Sequence, residues 1–121
     1  MLKRILIVDD SVTNLKYSQE ILKDTYRLAL AKSGELALHF VENNTPDLIL
    51  LDVNMPVMDG FETYQRLLDN PTTQQIPVIF LTAETDPECE IKGFSMGAMD
   101  FLKKPLEPEI IKFRISRILE F

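Results

Sequence analysis

Cysteine is nearly absent. Cys89 stands alone among 121 residues, which excludes an intramolecular disulfide and any cysteine-based zinc site. No apolar run approaches the roughly 18 residues that a membrane-crossing helix needs. The first run, Ile5 to Val8, ends at two aspartates, so the amino terminus shows neither the core nor the cleavage pattern of a signal peptide. An excess of basic charge is also missing. Lys and Arg number 13 against 19 Asp and Glu, a formal net charge of −6, and such a surface does not displace counterions from nucleic acid. Gly/Ser-rich linkers, low-complexity segments and internal repeats are lacking as well. The expectation is one globular domain over residues 1–121, in the cytoplasm, touching neither nucleic acid nor membrane directly.

Five short apolar runs are present: Ile5–Val8, Leu28–Ala31, Leu48–Leu51, Val78–Leu81 and the weaker Phe101-Leu102. Runs that are apolar at every residue suit strands buried on both faces, as in parallel sheets. The segments between them have helical spacing. Leu36, Ala37, Phe40 and Val41 form two i,i+4 pairs, and Ile111, Ile115, Ile118 and Leu119 form a stripe. Helices are also expected over Asp10–Asp24 and Phe61–Asp69, and from Asp86-Pro87 to a stop at Gly97. Strict alternation of strand and helix predicts an α/β fold of three layers, a parallel sheet between two layers of helices.

The chemistry-bearing residues sit at strand ends. Asp9 and Asp10 follow the first run, Asp52 ends the third, Thr82 ends the fourth and Lys104 follows the fifth. In open parallel sheets the carboxyl ends of the strands form the binding crevice, so these five residues are expected to converge. Three carboxylates held together repel one another unless a cation joins them. Mg²⁺, a hard ion that takes carboxylates, water and phosphate oxygens, answers that need. Lys104 adds a mobile point charge for a phosphoryl oxygen, and Thr82 adds a hydroxyl. Between metal and lysine, Asp52 can act as a nucleophile that holds an acyl phosphate.

Four segments, Ile7-Val8-Asp9-Asp10, Leu51 through Gly60, Leu81-Thr82-Ala83 and Phe101-Leu102-Lys103-Lys104-Pro105, resemble in order the motifs of response-regulator receiver domains of two-component signalling, the chemotaxis-regulator-like family. That resemblance implies a flavodoxin-like (βα)5 fold with strand order 2-1-3-4-5. It implies that Asp52 is the phosphoacceptor of a phosphorelay, receiving its group from a sensor histidine kinase or a histidine phosphotransfer protein. Mg²⁺ would be held by Asp10, Asp52 and the main-chain carbonyl of Asn54, with Asp9 acting through water. Lys104 would contact the phosphoryl group, Thr82 would move toward it, and Phe101 would follow by changing rotamer. Asn54 and Glu84 would tune how long the phosphoryl group lasts, and the Lys104-Pro105 bond would be cis. Phe101 stands where tyrosine is often found, so no hydroxyl fixes its inward state. Such a chain is a signalling receiver rather than an enzyme, and its partner is an output domain or a downstream protein.

Other readings compete at single residues. Asp9 or Asp10 alone could cap the following helix. His39 falls well away from its helix's apolar centre and reads as a surface residue; Cys89 reads as a surface or half-buried thiol. Ile91, Phe94 and Ala98 are expected to face inward, with Met96 outward. Phe113, Ile110 and Phe121 fall off the core stripe of the last helix, either as scattered surface residues or as a partner or homodimer surface across the last two helices. A small Mg²⁺-dependent phosphatase with an aspartyl nucleophile is the functional alternative. It usually has two aspartates flanking one residue and an added cap, whereas Asp9 and Asp10 are adjacent. A flavodoxin-like electron carrier would need a phosphate-cradling loop where these two acids stand.

Overall fold

The computed structural model describes residues 2–83 and 86–120. Its elements are β1 (Arg4–Val8), α1 (Val12–Leu22), β2 (Arg27–Ala31), α2 (Gly34–Val41), β3 (Leu48–Asp52), α3 (Gly60–Leu68), β4 (Val78–Thr82), α4 (Pro87–Met96), β5 (Asp100–Lys103) and α5 (Pro108–Leu119). The five apolar runs are the five strands, all parallel, in the order β2-β1-β3-β4-β5. This is the expected flavodoxin-like arrangement, with its change of winding direction between β1 and β3.

Continuous apolar runs work here because successive side chains of a strand point to opposite faces. Ile5 to Val8, Leu48 to Leu51 and Val78 to Leu81 are all buried, and each run supplies two cores. Leu6, Val8, Ile49, Leu51, Val78 and Phe80 pack with Ala37 of α2 and with Phe61, Tyr64 and Leu67 of α3. Ile5, Ile7, Leu48, Leu50, Ile79 and Leu81 pack with Leu15 and Leu22 of α1 and with Ile111 and Ile115 of α5. Each such side chain contributes about 1.5–3 kcal/mol when fully buried. The run of β2 is equally apolar, yet that strand is at the sheet edge and Leu30 is 42% exposed.

The helices begin on side-chain caps. Ser11, Ser33, Asp59 and Asp86 each accept a hydrogen bond from a backbone N–H of the first turn, relieving donors that have no partner within the helix. On α5, Ile111 and Ile115 are buried while Ile110 and Phe113 are exposed, as the stripe requires. His39 is exposed and lies 3.3 Å from Glu42, and Cys89 is half-buried. The spacing of Leu36, Ala37, Phe40 and Val41 marks the helix α2, in which Ala37 takes the inward position and Leu36 is exposed. One expectation needs correction. On α4, Ile91 and Phe94 point outward and Met96 packs against the core, the reverse of the expected facing; Ala98, just past the helix, is buried as expected. The inward positions are Cys89, Gly93 and Met96. Gly93 carries no apolar side chain, so a hydrophobic pattern does not register it. Among the described residues no helix is long and apolar enough to cross a membrane.

Candidate functional site at the carboxyl ends of the strands

Strand register brings the polar residues to one level. Val8 lies opposite Leu51, Asp52 opposite Leu81, and Thr82 opposite Lys103. Backbone hydrogen bonds extend the ladder one step beyond: Asp9 N donates to Ala31 O at 3.0 Å, Val53 N to Leu81 O at 2.9 Å and Lys104 N to Thr82 O at 2.7 Å. The main chain bearing the site is therefore part of the rigid sheet, which suits chemistry that depends on positioning.

Asp9, Asp52 and Thr82 are buried and Asp10 is exposed. One carboxylate oxygen from each of Asp9, Asp10 and Asp52 falls within 4.8 Å of the other two. Lys104 reaches into this group, with Nζ 2.8 Å from Asp9 Oδ2 and 3.1 Å from Asp52 Oδ1. The remaining oxygen of Asp9, Oδ1, accepts from Ser11 N at 2.9 Å. Ser11, not either aspartate, caps α1, accepting from Asn14 N at 3.2 Å. The capping alternative for the acid pair is thereby resolved against both residues.

The electrostatics follow from this packing. Burial, and next the charge of Asp9, raise the Asp52 carboxyl from 3.8 to about 6, against the opposing pull of Lys104. Burial acts to lower the Lys104 ammonium, but its bond to Asp9 and the charges of Asp52 and Asp9 outweigh that and hold it above its ordinary value. One ammonium among three carboxylates leaves the cluster negative. Hard oxygen donors with an unbalanced negative charge fit a small divalent cation, and Mg²⁺ commonly uses such a set.

The loop from Asp52 to α3 is held close to this centre. Gly60 N donates to Val53 O at 2.8 Å, and a Cβ at Gly60 would collide with the Asp52 carbonyl oxygen. Only glycine lets α3 start so near the site. Midway, Met58 N donates to Pro56 O at 2.8 Å around Val57, whose φ is 69°. This three-residue turn holds a β-branched residue in the left-handed region, a strained arrangement. Asn54 N approaches Asp52 Oδ1 at 3.4 Å.

The Lys104-Pro105 bond is cis. Phe101 is buried, its ring centroid 5.8 Å from that of Phe80 and 6.3 Å from that of Phe94. Glu84 lies outside the described residues. One contact had no sequence signal: Tyr17 of α1 donates to Leu106 O at 2.9 Å, tying α1 to the segment after Lys104 across 89 positions.

Residues 5–116 match the response regulator receiver domain family. The chain is 42% identical over 116 residues to a Vibrio cholerae protein named "Probable cyclic di-GMP phosphodiesterase", covering 96% of this chain and 26% of that one. It is 38% identical over 122 residues to the response regulator PleD of Caulobacter vibrioides, covering 100% of this chain and 27% of that one. The chain thus spans about a quarter of the length of these two relatives. Among solved structures, the chemotaxis protein CheY4 of Vibrio cholerae superposes with a TM-score of 0.92 at 34% identity, over 98% of this chain and 100% of that one. The beryllofluoride-activated DrrB receiver domain gives 0.88 at 33% identity, with both chains covered completely.

Proposed function

Since this chain belongs to the response regulator receiver family of two-component signalling, we propose that it acts as one receiver unit whose phosphoacceptor is Asp52. The observation that carries this reading is the Lys104 ammonium, held between Asp9 and Asp52 at the carboxyl ends of β1 and β3. An oxygen of Asp52 attacks phosphorus, forming an O–P bond as the donor's N–P bond breaks. The donor imidazole, of a sensor histidine kinase or a histidine phosphotransfer protein, leaves with the electron pair and a proton from solvent. Asp52 must be ionised to attack, and its upward-shifted carboxyl meets that condition above about pH 6.

Lys104 moves from pairing carboxylates to contacting a phosphoryl oxygen, and the Thr82 hydroxyl turns toward another. Asp9, Asp10, Asp52 and the main-chain carbonyl of Asn54 would hold Mg²⁺. When bound, the ion supplies positive charge against the phosphoryl oxygens and relieves the repulsion among the carboxylates. The movement of Thr82 frees space that Phe101 follows, altering the face made by α4, β5 and α5. Ile91, Phe94, Ile110 and Phe113 are exposed on these helices, an apolar surface that suits an output domain, a downstream protein or a second copy. The setting is cytoplasmic.

The test is intact-mass measurement after incubation with a small-molecule phosphodonor, with and without Mg²⁺, beside Asp52→Asn. One phosphoryl group gained, dependent on Mg²⁺ and lost in the variant, is the expected result. Equal labelling of Asp52→Asn would overturn the assignment of the acceptor.

A further inference from the structure

We propose that Gly93 is the positioning residue for the aromatic switch: by lacking a side chain it leaves the space that the Phe101 ring occupies, and so sets how readily that ring turns inward. The inference rests on reading Phe101 as the switch side chain. α4 turns Gly93 toward the sheet, where it is buried. A Cβ there would meet Phe101 Cδ2 at 3.0 Å, Phe101 Cε2 at 3.1 Å and Phe80 Cδ2 at 3.1 Å. These distances are tighter than ordinary van der Waals contact, so the helix backbone, Phe80 or Phe101 would have to yield.

Two of the three are held. The end of α4 is fixed by Gly97 at φ 107°, with Ala98 N donating to Gly93 O at 3.1 Å and Gly97 N to Phe94 O at 3.0 Å. This is the paired bonding of a Schellman stop, and it ties down the carbonyl of Gly93 itself. Phe80 is fully buried, its ring 5.1 Å from Phe61 and 5.5 Å from Tyr64. Phe101 has a partly open neighbour, its ring lying 6.3 Å from that of Phe94, which is 48% exposed. A side chain at position 93 therefore moves the Phe101 ring rather than the helix. Intrinsic preference points the opposite way, because alanine is favoured over glycine inside a helix. Packing against Phe101 supplies the reason for a glycine in mid-helix.

The experiment titrates beryllofluoride with Mg²⁺ against the parent chain, Gly93→Ala, Phe101→Leu and the double variant. NMR of the parent chain and of Gly93→Ala, without the mimic, follows NOEs between the rings at positions 101 and 80, and thermal melts of all four verify folding. Gly93→Ala is expected to lose the Phe101–Phe80 NOEs and to bind the mimic about tenfold more weakly, a shift ordinary for coupling between two sites. In the Phe101→Leu background the same substitution is expected to change affinity less than about twofold. NOEs and affinity unchanged in Gly93→Ala would overturn the proposal, as would an equal loss of affinity in both backgrounds. A parent chain that binds no beryllofluoride would refute the switch reading alone; the NOEs would still decide whether Gly93 positions the ring.

Discussion

At the amino ends of the strands, Asp47 accepts from Arg4 N at 2.8 Å and Tyr26 donates to Glu120 at 3.2 Å. At the carboxyl ends, a single lysine stands among three acids. Both ends place polar groups against the same apolar sheet. At the amino ends each acid has a donor and the sum is stabilising. At the carboxyl ends like charges are held together, and the fold is less stable there than neutral groups would make it. β3 shows the contrast within one strand: Leu48 to Leu51 and Asp52 are all buried, yet the first four residues stabilise the sheet and the fifth opposes it. Proteins commonly accept lower stability where a site must be reactive.

Removing the lysine is the strongest way to break this comparison. Lys104→Met leaves Asp9 and Asp52 buried without their shared counter-charge. Without Mg²⁺ at pH 7, the expected loss is about 3 kcal/mol, the lower end of what breaking a buried pair costs. Protonation of Asp52 relieves the rest. Urea unfolding in EDTA checks it as a lower midpoint at unchanged slope. A loss below about 1 kcal/mol would mean that Lys104 contributes no more than a surface pair does.

Removing the acid works in the opposite direction. The Asp52 carboxyl is raised from 3.8 to about 6 in the folded chain. A raised carboxyl binds a proton more tightly when folded, so its favourable contribution is complete below the unfolded value of 3.8 and is lost as pH rises through about 6. Asn is neutral throughout and escapes that loss. Asp52→Asn is expected to be more stable than the parent at pH 7 by on the order of 2 kcal/mol. In denaturant titrations the gap should close toward pH 4, and Mg²⁺ should narrow it at pH 7 by favouring the parent.

How much of this was legible in the sequence depended on distance along the chain and on what a side chain contributes to a pattern. The strands β1, β3 and β4 were legible because burial on both faces demands unbroken apolar runs, and the acids were legible because they interrupt those runs. β2 shows the limit: Leu28 to Ala31 reads like a central strand, yet edge position leaves Leu30 exposed. The facing of α4 is not legible in the sequence because Ile91 and Phe94 weigh heavily in any hydrophobic pattern, while Gly93, the residue against the core, weighs nothing. Tyr17 and Leu106 meet only because the sheet order brings α1 beside the segment after β5. No local pattern carries that information. Gly60 directly precedes the helix expected from Phe61, but its approach to the Asp52 carbonyl depends on how closely α3 packs.

The smallest expected effect belongs to the amino ends and tests whether their polar groups do stabilise. Burial first, then the hydrogen bond and charge of Glu120, raise the Tyr26 hydroxyl from 10.0 to about 12. Tyr26→Phe removes that bond, while Glu120, which is exposed, regains water. The loss at pH 7 is therefore expected to be only about 0.5–1 kcal/mol. The sign of the pH dependence sharpens the test. A hydroxyl raised in the folded state contributes stability that is complete below pH 10 and is lost as pH rises through about 12. The parent should lose stability over that interval with a slope that Tyr26→Phe lacks, so the two unfolding midpoints converge in alkali. Parallel curves from pH 8 to 12 would mean that the Tyr26 hydroxyl is neither buried nor bonded to Glu120 in solution, and the amino ends would then depend on Asp47 and its backbone donor.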